Sequence, residues 1–331
     1  IASPALRSLL AASMVLLPVA SAELLDNVVN VPWWLFFASF WALLWRPNSA
    51  PGRAAAGFVC FLAAASEPLV GLFLPLSVVR ALALPNARDQ APSVGIVSGL
   101  LYQVLLASRS SSNIVSSAGS LQGLAQSFSV RVGLGLAGGE KGTDWLFVHE
   151  RPVAVGLGAV VLCSLLALGV LSVGSLRVRV FTLTAASFCL GCYVVPVWLR
   201  GLGPTTQIAR VEVASRYQAV PVLLLVSTIL VVSDHWTKAR ALHGSRQWRS
   251  VTVVAVCACL LGATWVVDFR DSNQRSAGPS WGTQVARATV HCRRAPTTTV
   301  SLAIDPPGWD VSLTCRDLVT TRPILPGHGA R

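Results

Sequence analysis

Apolar and polar residues follow one another along this chain in long blocks, not in single alternating steps. Nine apolar runs, at 5–22, 31–45, 54–66, 69–84, 93–107, 152–175, 178–199, 218–235 and 251–268, are separated by polar joints. A helix crosses the hydrocarbon core of a bilayer with roughly 17–25 apolar residues, so the blocks predict spanning helices. A membrane β-barrel would instead show segments of about ten alternating residues, which the pattern lacks. The third and fourth runs are short and meet at Ser66, Glu67 and Pro68. That junction reads either as a tight turn between two thin spans or as one broken helix.

The pattern changes character only at the end. "TTTVSLAIDPPGWDVSLTC" does alternate, around a Pro-Pro-Gly turn, and predicts a short β-hairpin. The fold class read from the sequence is therefore an all-α polytopic membrane protein with about nine hydrophobic segments and a small C-terminal β-containing tail. Residues 1–268 form the helical domain, with outside loops at 108–151 and 200–217, and residues 269–331 form the tail. The loop 108–151 opens with a polar stretch, "SRSSSNIVSSAGS", and continues with "LQGLAQSFSVRVGLGLAG", apolar enough to lie along the membrane interface.

Composition agrees with the blocks. Hydrophobic residues are 53% of the chain, charged residues 12%, and mean hydropathy is +0.62, where a soluble domain carries about a quarter charged residues. The net charge of +12 raises nucleic acid as a partner. The basic residues, however, sit in joints between apolar runs, where topology and contact with anionic membrane lipids account for them; no nucleic-acid partner is read. With the start inside, near Arg7, the inside joints hold Arg46, Arg53, Arg80, Arg88, Arg177, Arg179, Lys238, Arg240, Arg246 and Arg249, while the turns at 23–30 and 66–68 hold no basic residue. Strict alternation then predicts a multi-pass protein of the cell membrane with an extracytoplasmic tail. In an oxidising compartment Cys292 and Cys315, flanking the hairpin, are disulfide candidates. The other six cysteines lie in apolar runs and read as small core residues. Residues 1–22 carry a signal-peptide pattern ending at a small-x-small site, or a first transmembrane helix of a longer protein.

Polar residues concentrate at three places. In "AELLDNVVNVPWW", Glu23, Asp26, Asn27 and Asn30 stand between two apolar runs. Glu23, Asn27 and Asn30 share a face if the helix continues, giving either a polar floor suited to sugar hydroxyls or a cation, or a capped helix end in water. Glu67 is an acid at membrane depth, or else the N-terminal cap of the helix that Pro68 begins. In "ARVEVASRYQAVP", Arg210, Arg216 and Tyr217 suit a phosphate headgroup, since guanidinium binds phosphate through two donors; the bland alternative is interfacial snorkelling with an aromatic anchor. No P-loop, dinucleotide fingerprint, HExxH or nucleophile elbow is present. The five histidines are scattered, and "CLGC" at 189–192 lacks a second ligand pair, so no metal site is read from the residues.

These stretches together resemble a family. "E-x3-N-x2-N-x2-W" at 23–33 followed by "LFFASFWALLWRP", the "AAASEPLVGLFLPL" break, and the "SRYQAVP" helix entry are similar to segments of bacterial polytopic membrane glycosyltransferases of the GT-C type. The tail pattern "P-x-W-x-V-x-L-x-C" resembles C-terminal extensions of actinobacterial members. The resemblance implies transfer of a sugar from a polyprenyl-phosphate donor in cell-envelope assembly, by metal-free chemistry or with a divalent cation as cofactor. It implies a catalytic aspartate in a first outside loop, upstream of residue 1. It places Glu23, Asn27 and Asn30 in a cavity, Arg210 and Arg216 on the donor phosphate, and Glu67 facing the same chamber. The rival expectations are a transporter or flippase, which places polar residues at the membrane midplane as well as at one face, and a non-catalytic membrane protein.

Overall fold

The computed structural model describes residues 1, 3–17, 19, 30–107, 120–171, 175–199, 216–240, 280–304 and 309–320, with single positions and short stretches between 255 and 267. It divides into two compact units, Ile1–Arg270 and Asp271–Arg331.

The first unit is helical throughout its described part: α1 (Pro4–Val15), α2 (Val31–Leu44), α3 (Ala50–Ser66), a 3-10 turn (Pro68–Phe73), α4 (Leu74–Ala83), α5 (Ala91–Ala107), α6 (Leu121–Phe128), a π-helical segment (Ser129–Leu134), α7 (Gly135–His149), α8 (Arg151–Val170), α9 (Leu176–Leu199) and α10 (Arg216–Arg240). Helix starts follow local rules. Ser49 and Ser120 accept hydrogen bonds from the backbone N–H of Gly52 and Gly123 at 3.2 and 3.0 Å, and proline occupies the first turn of α1, α2, α3, α4 and α8, where its missing N–H costs nothing. Helix α1 ends at Val15, earlier than the run 5–22 predicts, because Pro18 follows and disfavours helical backbone before it.

Among the described residues three helices are long and apolar enough to cross a membrane: Arg151–Val170, Leu176–Trp198 and Arg216–Thr237. Helices α1 to α5 are apolar but shorter. The three long helices differ in what surrounds them. In the most apolar window of α10, 78% is buried inside the protein, against 17% for α8, so α10 is the central post and α8 lies at the periphery.

Helices α3 and α5 lie side by side and parallel. A Cβ on Gly95 would fall 2.2 Å from the carbonyl oxygen of Gly57, and one on Gly99 would fall 2.6 Å from that of Phe61; further along, Gln103 donates to Ala65 O at 2.6 Å. Small residues four apart let two backbones touch, as in membrane helix pairs. Two parallel neighbours require the segment between them to run back, so the chain reverses at the Ser66–Glu67–Pro68 junction. An aromatic core holds α2, the 3-10 turn and α9 together: Phe73 stands 4.9 Å from both Phe36 and Phe188, ring to ring, and Phe40 packs against Phe181 at 6.0 Å.

At the end of the unit where α2 and α4 stop, buried Arg80 donates through Nε to Asp89 O at 2.9 Å and through Nη1 to Leu43 O and to Trp45 O, the latter at 2.9 Å. Arg46 pairs with Asp89 at 3.3 Å. Trp33 meets Tyr217 near the starts of α2 and α10, and Trp41, Leu44 and Val231 line one groove further along; the two helices therefore run parallel, and the C-terminal end of α10 lies at this same end, where Asp234 accepts from Ser3 N at 3.0 Å. Arg177 lines an apolar groove of about 990 Å³ there, together with Trp41, Leu44 and Val79.

Residues 121–149, expected within an outside loop, are helical from Leu121 to His149, and Val130, Arg131, Val132, Gly133 and Leu134 are buried. The reason is a glycine pair: a Cβ on Gly158 of α8 would fall 2.0 Å from Ser129 O, and one on Gly133 would fall 2.3 Å from Gly158 O. The segment therefore packs backbone to backbone on α8. Residues 108–119 and 200–215 lie outside the described residues.

The second unit holds α11 (Trp281–Arg294), the strands β1 (Thr299–Ile304) and β2 (Trp309–Thr314), and α12 (Cys315–Thr320). The strands pair antiparallel, Thr299 opposite Thr314 and Ile304 opposite Trp309, as the alternating pattern predicts. A disulfide joins Cys292 of α11 to Cys315 at the start of α12, and Gln284 donates to Ala303 O at 2.7 Å. The bridge closes a loop over a sequence separation of 23 residues, which in the chain-entropy account contributes about 3 kcal/mol. The double variant Cys292→Ser/Cys315→Ser is expected to lose that amount from the second unit, read as earlier proteolysis between 281 and 320. Cleavage at the wild-type rate would mean that the hairpin holds α11 without the bridge.

Candidate functional site

The start of α10 carries the polar sequence read as a helix entry. Arg216 is its first residue, and its guanidinium carbon stands 5.1 Å from the centroid of the Tyr217 ring. Tyr217 is buried and meets Trp33 of α2 edge to face at 5.3 Å. Asn30 immediately precedes α2, is buried, and makes no side-chain cap bond to that helix. Gln218, the next residue of α10, is fully buried. The parallel starts of α2 and α10 thus bring Asn30, Trp33, Arg216, Tyr217 and Gln218 to one end of the bundle. Two of the stretches singled out in the sequence, nearly 190 residues apart, meet there.

Glu67 has a local use. Its Oε1 accepts the Leu69 N–H at 3.2 Å and caps the turn that Pro68 begins, the second of its two readings. Glu23, Asp26, Asn27 and Arg210 lie outside the described residues.

A second group was not anticipated. Tyr193 of α9, buried, shares a hydrogen bond of 2.5 Å with Ser127 of α6 and accepts one from Arg131 of the π-helical segment. Phe128 packs on the same ring at 5.4 Å. Arg131 is only 3% exposed, unusual for arginine unless partners meet its donors. The π segment leaves the ordinary helical hydrogen-bond ladder for a few residues, a departure common at functional sites. Beyond it, Gly139 adopts φ 66°, a left-handed kink that glycine tolerates, and turns Glu140 and Thr143 inward, both buried.

The two groups belong to one structure. Trp33, Tyr217, Tyr193 and Val132 lie in a single continuous apolar core, and the π segment packs against α10. Depth follows from helix position: Tyr193 is six residues from the end of α9 and Gly158, which the π segment touches, is the eighth residue of α8. At about 1.5 Å per residue, Arg131 lies roughly 10 Å inside the helix ends. The signal that could have found it is a lone arginine in "SVRVGLGLAG", a charge inside an apolar stretch; reading the stretch as interfacial loop hid it.

Chemically, planar guanidinium groups beside phenol and indole rings bind phosphate oxygens through paired donors, and buried amides and hydroxyls orient sugar hydroxyls. Among the described residues no group of three or more His, Cys, Asp or Glu is placed to hold a metal ion. No family model, no curated protein and no solved structure matches this chain.

Proposed function

We propose that the chain is a multi-pass cell-membrane glycosyltransferase, or the C-terminal part of one, with about nine spans and an extracytoplasmic tail, transferring a sugar from a polyprenyl-phosphate donor during cell-envelope assembly. The observation that carries this reading is the contact of Tyr217, stacked beside Arg216, with Trp33, three residues after Asn30, at the end of the bundle opposite Arg46, Arg80 and Arg177. By the positive-inside rule that end faces outward, where a lipid-linked donor presents its phosphate. A leaving lipid phosphate needs positive charge placed before the reaction begins. Arg216 supplies it at that end of the bundle and Arg131 deeper in.

A transporter requires polar groups along a path through the midplane. At mid-height of α10, Ser227 and Thr228 bond back to Leu223 O and Leu224 O of their own helix at 2.7 and 3.0 Å, and the residues around them are aliphatic. That dry midsection favours the transferase over the flippase.

The test is turnover of a polyprenyl-phosphate sugar by the full-length protein in proteoliposomes. Arg216→Ala is expected to reduce kcat about 100-fold, the usual effect of removing one preorganised charge donor, with Glu23→Gln and Asp26→Asn raising KM. Wild-type protein that moves the intact lipid-linked sugar between leaflets without breaking the glycosyl bond would replace the transferase by a flippase. Unchanged turnover in Arg216→Ala would remove that residue from the donor site.

A further inference from the structure

In the second unit α11 has two faces. Ala288 and Cys292 are buried, and through Gln284 and the disulfide this face is held against β1 and α12. The opposite face presents Arg287, Val290, His291 and Arg294, spaced i, i+3, i+4 and i+7, which places all four in one stripe; all are exposed, as is Arg293 beside them. Trp281, the first residue of the helix, is exposed by half. The helix carries no acid, and of the described acids in this unit Asp317 is engaged by Thr314 Oγ1 at 2.6 Å.

Complementing the helix C-terminus explains His291, Arg293 and Arg294, which stand in the last turn. It does not explain Arg287, two turns from the end, because that effect fades within one turn. Nor does it explain why Val290 sits among the cations with its apolar surface uncovered. A basic stripe with an embedded, uncovered apolar residue is the composition of a helix that lies at a lipid headgroup layer.

We infer that the Arg287–Val290–His291–Arg294 face of α11 docks on anionic phospholipid headgroups of the same membrane that holds the first unit. The inference rests on the membrane reading of the apolar run 251–268, and not on the sugar-transfer reading. Only residues 269–280 separate that run from α11. Twelve residues span at most about 40 Å, so the helix stays within reach of the headgroups, and binding at that tether length needs no high intrinsic affinity. A soluble acidic protein would have to compete with a charged surface that is always present.

The experiment uses the full chain in nanodiscs of phosphatidylcholine alone and of phosphatidylcholine with phosphatidylglycerol, and reads amide hydrogen exchange over residues 285–294. Docking is expected to slow exchange there in the anionic discs by roughly five-fold for each arginine engaged, with the protection lost at high salt and in Arg287→Gln/Arg294→Gln. Exchange over 299–304 in the same variant reports whether the hairpin remains folded, so a misfolded tail is distinguished from an undocked one. Equal exchange in the two kinds of disc overturns the inference. So does protection that survives the double variant, which would place α11 against protein, and so does protection that needs a soluble anionic polymer in place of the anionic lipid.

Discussion

Gly158→Ala is expected to lower the stability of the helical unit by about 3 kcal/mol, the upper end of the usual range for forcing extra carbon into a packed contact, while Gly156→Ala, two residues away on α8, is expected to leave it unchanged or raise it by about 0.5–1 kcal/mol. The contrast follows from what each new methyl meets. At Gly158 the Cβ position lies 2.0 Å from Ser129 O and 2.6 Å from Ser129 C, both backbone atoms that no rotamer change can move; at Gly156 nothing lies within 4 Å. There alanine gains only the helix propensity that glycine lacks. To admit the methyl at Gly158, the π segment and α8 must part, and the reciprocal contact of Gly133 on Gly158 O parts with them. The same displacement moves Ser127 and Arg131 away from Tyr193, so under the proposed transferase reading Gly158→Ala should impair turnover in the protein that still folds. Unfolding of both variants by denaturant in one detergent measures the difference. Equal stabilities would mean that the π segment is not seated on α8.

This glycine contact also marks where sequence reasoning reaches and where it stops. The hairpin was legible because alternation is a local property: each residue of 299–304 and 309–314 declares its face by its neighbours, and a Pro-Pro-Gly turn signal separates the two runs in the sequence. The two uses of Glu67 were both legible, because a cap bond reaches only two residues on, to Leu69 N–H. Residues 121–149 were not. Their glycines, serines and charges lower the average hydropathy to that of a loop, and what makes them helical is a partner in α8 whose fit depends on the absence of two side chains. Arg131 and Glu140 went unread with them, since a single charge in a segment taken as interfacial carries no meaning until the segment is known to be buried. Tyr193 stood one residue beyond the "CLGC" spacing, which drew the chemistry to Cys189 and Cys192; both are buried thiols in the core of α9. The pairing of "NVPWW" with "SRYQ" was legible only as two separate polar entries. The edge-to-face contact of Trp33 on Tyr217 joins them, and tertiary structure alone supplies it.

Arg80→Ala is expected to have the second large effect, a loss of about 3–5 kcal/mol, because the buried guanidinium satisfies acceptors that nothing else reaches. Arg80 is 5% exposed, and its donors meet the carbonyls of Leu43 and Trp45, at the end of α2, and of Asp89, before α5. The last carbonyls of a helix have no partner within it, and in a dry setting each orphan is costly; one arginine thus ties the ends of α2, α4 and α5 into a single joint. Truncating it leaves three carbonyls to find water, the situation in which removal of a buried charge is most damaging. Arg80→Lys should recover only part of the loss, since one ammonium cannot span Asp89 O and Leu43 O as a planar fork does. Asp89→Asn separates the joint from ordinary charge pairing: Arg80 uses the Asp89 backbone, and the side chain of Asp89 pairs with Arg46, whose own side chain is 60% exposed, a pair worth about 0–1 kcal/mol. The expected order of stability loss is therefore Arg80→Ala, then Arg80→Lys, with Asp89→Asn well behind, measured by thermal unfolding in micelles. If Asp89→Asn proved as damaging as Arg80→Ala, the joint would be held by the carboxylate and not by the carbonyl cradle, and the basic end of the bundle would owe its order to an ion pair.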